Sequence, residues 1–472
     1  MNKTLEKDLK NIGNLLETAK KESLSFLKGI DKIPTTHKKI SVQNRLLKEK
    51  GIGGEKTFKA FQKQFKPIIV ASTGARYWGF VTGGSTPAAI VGDWLSSVYD
   101  QNTQNIKGQG DISALIEIET IQLLLQLLNL PNDFSGGFVT GATMSNFTSL
   151  AVARQWLGKA LGHDIAKQGV CENLKILTAT PHSSAVKCLS LLGIGSQNFI
   201  KIKTIEGRGL EAREAINIED LERIIKEINQ SFILISSGGT VNTVDFDDFE
   251  AISKLKKEHN FWWHIDAAFG GFAACSPKYA HLLRGWEMAD SITIDCHKWL
   301  NVPYESAFYL IREAHKYSQV ETFQNSNAPY LGDPLDNFSY LNFLPENSRR
   351  LKALPTWFSL VAYGKEGYRD IVENSVYMAQ LFGNFIEHSV EFQLLAPVRL
   401  NTVCFTLKGV ENQDKVSSFL MKLNDGGKVF MTPTVYQGQK GIRAAFVNWR
   451  TCEKDIKIAI KEMKKALKEV KY

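Results

Sequence analysis

The chain has 472 residues, too many for one small core, and its 43% hydrophobic, 22% charged and 10% aromatic make-up is that of a globular protein rather than a disordered chain or a coiled coil. Its net charge of +8, from 57 basic and 49 acidic residues, is scattered or lies on amphipathic faces such as 453–471, and no nucleic-acid-binding motif accompanies it, so nucleic acid is not an expected partner.

The opening stretch, MNKTLEKDLKNIGNLLETAK, sets Leu5, Leu9, Ile12 and Leu16 at helical spacing among charges, and lacks the continuous apolar segment of a signal peptide. No apolar run approaches the roughly 18 residues of a membrane span. From about 136 to 311, short apolar runs alternate with helical patterns. Strands are expected at 137–140, 174–179, 199–203, 232–236, 261–265, 291–295 and 307–311, with helices at 145–161, 183–192, 219–229 and 247–259 between them. This alternation predicts a mainly parallel sheet covered on both faces, in which ligands collect at the carboxyl ends of the strands. Residues 320–350 are polar, rich in Pro and Asn and with little periodicity, which is the pattern of a long loop that is either functional or disordered. Helical stretches at 356–365 and 372–388, a strand NTVCFTL, a helix near 412–424, the run GIRAAFV and a last helix suggest a smaller α+β domain beginning near 370. The six cysteines, at 171, 188, 275, 296, 404 and 452, form no C-x-x-C pair; neither a zinc site nor a disulfide framework is expected, and the reading is a reducing cytoplasm.

Four strand ends carry residues that periodicity does not explain. FVTGATMSNFTSLAVARQ passes from a strand through Gly141 into a helix, whose free N–H groups and dipole make an anion seat. ILTATPHSSAVK places His182 between a strand and a helix, either as a helix cap or as a flat ring at the mouth of the sheet. WWHIDAAFGG ends an apolar strand in Asp266, a carboxylate that is costly to bury unpaired and suited to a protonated ring nitrogen; no metal is expected there, with His264 assigned to the other face. SITIDCHKWL sets Lys298 between His297 and Trp299, where partial burial makes an amine nucleophilic toward a carbonyl. An anion seat, a ring stacker, an isolated carboxylate and a lysine are together what pyridoxal phosphate requires.

In GATMSN (141–146), PHSSAVK (181–187), SSGGTVNTVDFD (236–247), HIDAAFGG (264–271), DCHKW (295–299) and SRRLKALPTWFSLVAYGKEG (348–367), the chain resembles the group II pyridoxal-phosphate-dependent amino acid decarboxylases, over roughly 76–450. It departs from the family at Cys296, where proline is usual, and at Phe269, where tyrosine is common. The resemblance implies fold type I, with a large, mainly parallel seven-stranded sheet domain and a small C-terminal α+β domain. The divisions would be an N-terminal helical segment (1–75) that clasps a dimer partner, a cofactor domain (76–369) with a catalytic loop (320–350), and a C-terminal domain (370–472).

Lys298 would carry the cofactor, Asp266 would bind its ring nitrogen, and His182 would stack on the ring with Ala268 opposite. The backbone of Thr143 and Met144, with His297, would hold the phosphate, and Thr240 would lie beside the ring. Phe80 and Val81 would lie near the substrate side chain and favour an aromatic one. Tyr340, nine residues before Arg349, would sit on a mobile loop and return a proton to Cα in the neighbouring subunit's site. The implied enzyme is a homodimeric, cytoplasmic carboxy-lyase, with its active site at the dimer interface, that converts an L-amino acid to amine and carbon dioxide. The nearer rivals are glutamate- or aspartate-type decarboxylation, decarboxylation-dependent deamination, and transamination, the last with Arg443 as the candidate grip on an α-carboxylate. A non-catalytic binding protein on the same fold is the distant one.

Overall fold

The alternating segment folds into seven strands: β1 (Phe134–Val139), β2 (Ile176–Thr178), β3 (Ile200–Lys201), β4 (Phe232–Ser237), β5 (Phe261–Asp266), β6 (Ser291–Asp295) and β7 (Ala307–Arg312). These come from a computed structural model that describes residues 1–37, 46–107, 110–207, 209–324, 338–409 and 414–470. The sheet order is β1-β7-β6-β5-β4-β2-β3. Pairing is parallel from β6 across to β3, and β7 alone runs against its two neighbours. The sheet is therefore mainly parallel, as expected.

Apolar residues on both faces of the central strands explain why helices cover both sides. Leu234, Trp263, Ile265, Ile292, Ile294, Phe308 and Leu310 point to one core. Their sequence neighbours Ile233, Ile235, Trp262, Tyr309 and Ile311 point to the other, against Leu150, Val152 and Leu157 of the helix Ala142–Ala160. Period two thus assigns every residue of β5 to a face, and with it the direction of each polar side chain at the strand end.

The C-terminal portion forms an antiparallel sheet of β8 (Phe392–Leu394), β9 (Thr402–Leu407), β10 (Thr432–Tyr436) and β11 (Gln439–Ala445), in the order β10-β11-β9-β8. The helices Asp414–Asp425 and Glu453–Val470 pack against it through Phe419, Leu423, Ala459 and Met463. The helical stretches expected at 356–365 and 372–388 are two arms of one long element, Ala353–Glu387, broken at Gly364, whose φ of +57° favours glycine. Among the described residues no helix is long and apolar enough to cross a membrane.

At the amino end, Leu5, Leu9, Ile12 and Leu16 fall on the helices Lys3–Lys10 and Ile12–Gly29, and all four are exposed, between 50% and 61%.

The stretch after residue 337 is anchored by a buried ion pair. Arg349 donates to Glu117 Oε1 at 2.5 Å, to Phe138 O at 2.8 Å and to Thr103 O at 3.1 Å; Phe138 N–H donates to the same Glu117 oxygen at 2.7 Å. The two side chains are 3% and 0% exposed. Replacing Arg349 by Met should lower the stability by about 3–5 kcal/mol, because Glu117 is left charged in a dry site. Chemical denaturation of the two proteins side by side checks this, and an unchanged midpoint would show that the pair is not stabilising.

Candidate active site

Strands that run parallel finish at one edge, so the turns after β1, β2, β4, β5 and β6 emerge together. A cavity of about 510 Å³ opens there, within the roughly 300–1,000 Å³ range of small-ligand sites. Of the residues expected at the site, Phe80, Val81, Thr143, His182, Thr240, Asp266, Ala268, His297 and Lys298 all line it. Met144 does not; its side chain packs into the apolar cluster under the helix.

Lys298 leaves the turn after β6 and reaches Asp295 Oδ2 at 2.7 Å, with the Phe269 ring centroid 5.8 Å from its amine. The amine is thus ion-paired rather than isolated. Asp295 has a second duty: its Oδ1 accepts Ala142 N–H at 2.6 Å, at the first turn of the helix Ala142–Ala160. Its closeness to Lys298 was visible in DCHKW, but only the pairing geometry shows that it anchors both the lysine and the helix start.

His297 stacks on Tyr304 with centroids 4.2 Å apart, and its Nδ1 accepts Ser306 N–H at 3.3 Å. This places the ring proton on Nε2, 3.5 Å from Asp295 Oδ1. His182 fills both roles weighed for it. Its Nδ1 accepts Ser184 N–H at 3.2 Å as the cap of the helix Ser183–Leu191, and its ring lines the cavity. Burial pushes the pKa of both imidazoles down, against the upward pull of Asp266 on His182 and of Asp295 on His297.

Asp266 Oδ2 accepts Asn146 Nδ2–H at 2.9 Å, and Oδ1 accepts Ala268 N–H at 3.3 Å. One expectation is corrected here. His264 lies on the same face of β5 as Asp266, as a spacing of two requires, and its Nε2 meets Asn146 Oδ1 at 2.9 Å. Asn146, within GATMSN, was given no role by its sequence context. No cluster of metal-ligating side chains occurs among the described residues.

The far wall carries Thr240, Glu214 and Arg443. Thr240 donates to Glu214 Oε2 at 2.5 Å, and Thr243 donates to the same oxygen at 2.8 Å. Asp245 accepts Glu214 N–H at 3.0 Å and pairs with Arg213 at 2.6 Å, so the first of the two acids of SSGGTVNTVDFD braces the chain that presents Glu214. Arg443, on β11, donates to Val241 O at 2.7 Å. Burial pushes its guanidinium pKa down.

Phe80 and Val81 enter with φ of +56° and +57°, which bulky residues rarely adopt and which collects at functional sites. Gly83 clamps the segment in place. Its N–H donates to His297 O at 3.2 Å, and a Cβ there would lie 1.9 Å from Lys298 O, so only glycine admits this approach.

Tyr340 requires the larger correction. It lies in a 3₁₀ turn, Tyr340–Asn342, at 1% exposure, and not on a mobile loop. Its hydroxyl donates to Gly136 O at 3.0 Å, and the Arg349 guanidinium sits 4.2 Å over its ring. It does not line its own chain's cavity. Burial pushes its phenol pKa well above the ordinary range, with Glu117 adding to the shift and Arg349 opposing it. The spacing to Arg349 is the spacing of a stacking partner. The middle of the irregular segment, 325–337, lies outside the described residues.

A strand-end lysine, a carboxylate on the next strand, a capping imidazole and an open helix start around one cavity form the donor set of a pyridoxal-phosphate enzyme. Each requirement of the cofactor (amine, ring-nitrogen acceptor, flat ring and anion seat) has a residue in place. Residues 43–408 match the model of the pyridoxal-dependent decarboxylase conserved domain, and the chain belongs to that family. It is similar to an aromatic-L-amino-acid decarboxylase of Bacillus atrophaeus (28% identical, covering 84% of this chain and 81% of that one). It is also similar to a 3,4-dihydroxyphenylacetaldehyde synthase of Aedes aegypti (26% identical, covering 86% and 80%). Among solved structures, Oryza sativa TDC with PLP and tryptamine shares the fold at a TM-score of 0.87 and 20% identity, covering 98% of each chain. The protein is therefore a pyridoxal-phosphate-dependent enzyme of the amino acid decarboxylase family.

Because its phenol is tied down away from the cavity, Tyr340→Phe should keep its rate and product within about twofold and lose about 1 kcal/mol of stability. Product analysis and denaturation of the purified variant check both. A rate loss of about a hundredfold at unchanged stability would return Tyr340 to the chemistry.

Proposed function

We propose that this enzyme removes the α-carboxylate of an aromatic L-amino acid as carbon dioxide and releases the amine. The observation that carries the reading is the single cavity shared by Lys298, Asp266 and His182. Support for an aromatic substrate comes from the names of the relatives and from the apolar walls contributed by Phe80, Val81 and Phe269.

When bound, pyridoxal phosphate supplies a carbonyl that captures amines and a ring that delocalises the electron pair left on Cα. Lys298 would hold the cofactor between turnovers and release it to the substrate amine. Asp266 would keep the ring nitrogen protonated, with His182 and Ala268 against the ring and Thr240 beside it. The helix start at Thr143 and Met144, with His297 Nε2–H, would hold the phosphate. The protein acts as a homodimer whose active site lies at the interface. The exposed stripe of Leu5, Leu9, Ile12 and Leu16 supports a clasp between subunits. Its six cysteines are free thiols, which supports the cytoplasm as its compartment.

A second product is favoured by one finding: aldehyde synthases stand among the similar proteins. In that reading dioxygen takes the electron pair, giving aldehyde, ammonia and hydrogen peroxide beside carbon dioxide, as the names of the aldehyde-synthase relatives suggest.

Borohydride reduction followed by peptide mapping should place the cofactor mass on Lys298, and a label on any other residue would overturn its assignment. In a panel of amino acids, kcat/KM for tryptophan, tyrosine and phenylalanine should exceed that for glutamate and aspartate by at least about tenfold. Measuring amine, aldehyde and peroxide in the same reactions separates the two products; a preference for an acidic substrate would overturn the aromatic reading.

A further inference from the structure

Behind Asp266 lies a row of polar side chains that no step above uses. β5 sends Trp262, His264 and Asp266 to one face, where Ser291 of β6 and Asn146 of the helix Ala142–Ala160 meet them. Trp262 Nε1 lies 2.8 Å from Ser291 Oγ, which lies 2.8 Å from His264 Nδ1. His264 Nε2 lies 2.9 Å from Asn146 Oδ1, and Asn146 Nδ2 lies 2.9 Å from Asp266 Oδ2. Trp262, Ser291, His264 and Asn146 are each 0% exposed, so these groups must satisfy one another.

Elementary chemistry fixes the direction of every bond. An indole N–H only donates, so the serine oxygen accepts from Trp262. A carboxylate only accepts, so Asn146 turns its amide nitrogen to Asp266; the same nitrogen donates to Ser184 Oγ at 3.1 Å. The amide oxygen therefore faces His264 and requires a donor, which puts the imidazole proton on Nε2. Nδ1 is then bare and accepts the one hydrogen that Ser291 has left. The carboxylate end fixes the tautomer, and the other end accommodates it: Ser291 accepts from Trp262 and gives its one hydrogen to Nδ1. A charged imidazole would leave the serine hydrogen without an acceptor, and burial pushes the His264 pKa down to about 4, against the pull of Asp266.

We propose that Asn146 and His264 are positioning residues for Asp266: the row Trp262–Ser291–His264–Asn146 locks one tautomer and delivers one fixed hydrogen to Oδ2, so that Oδ1 is aimed at the cavity as a pure acceptor. The inference rests on Asp266 meeting the cofactor's ring nitrogen. The carboxylate is held from behind by a chain whose hydrogen order follows from its own inability to donate, and whose far end is an indole that can only donate. A lone carboxylate could turn, or be met by an amide oxygen. This one cannot, because each neighbour's hydrogen is already committed.

The test has two parts. In ¹⁵N-histidine-labelled protein without cofactor, the His264 signals, assigned by their loss in His264→Gln, should show protonated Nε2 and bare Nδ1 from about pH 5.5 to about pH 8, a range that spans an ordinary imidazole's pKa. The opposite tautomer, or titration within that range, overturns the row. In protein saturated with ring-¹⁵N-labelled cofactor, Asn146→Leu and His264→Leu should move the ring-nitrogen signal toward the unprotonated position. Both should lower kcat by about ten- to a hundredfold with little change in KM. His264→Gln, which can still donate to Asn146, should restore the signal; a merely structural role would not produce that rescue. If Asp266→Ala moves the ring signal and Asn146→Leu does not, the row has no hold on Asp266 and the proposal fails. If neither moves it, the contact between Asp266 and the ring nitrogen is itself wrong, and the proposal falls with it.

Discussion

Parallel strands held in register have to end together, and the polar part of this protein hangs from that shared edge. Ser237 of β4 pairs with Asp266 of β5, which pairs in turn with Thr293 of β6, so the loops beyond them leave the sheet within a few ångströms of one another. Residues more than a hundred positions apart, such as Asn146 and Asp266, are thereby brought to hydrogen-bond distance. Helices covering both faces bury the strands below the edge, and the cavity opens at the edge itself.

Charge in such a place needs a partner, and Lys298, Asp266 and Glu214 each have one. Lys298 has Asp295, which also takes a backbone N–H at the start of the neighbouring helix. Asp266 has an amide on one oxygen and a backbone N–H on the other. Glu214 has two threonine hydroxyls. The partners differ in kind, and this separates their roles. The Lys298 ammonium, on a flexible stem, pairs with the Asp295 carboxylate, whereas the amide of a helical asparagine holds Asp266. The first arrangement suits a group that is exchanged between partners; the second suits one that must stay still.

The same logic explains the polar segment after residue 337. It contains Arg349, which a fold of this kind could not bury without an acid, and Glu117 lies under β1 to meet it. The phenol of Tyr340 completes the set by covering the guanidinium and bonding Gly136 O. A cluster of polar residues in an aperiodic stretch looks like a loop; here its end is a buried plug against the sheet.

The sequence by itself determined the strands from 232 to 311 almost to the residue, because an apolar run bounded by polar turns permits little else. It also determined which residues at the strand ends are out of place: His182, Asp266 and Lys298 stand out because strand periodicity cannot use them. β8 and β10 escaped it, the first because three residues carry no period, the second because Pro433 breaks a strand pattern that an edge position tolerates. It could not tell Tyr340 the plug from Tyr340 the reagent, since a spacing to Arg349 serves either. Nor could it give Asn146 a part, because a helical asparagine acquires meaning only from what faces it across the sheet. Tertiary structure decided those cases. Hydrogen-bond direction and burial depend on neighbours distant in sequence, and local pattern holds no record of them.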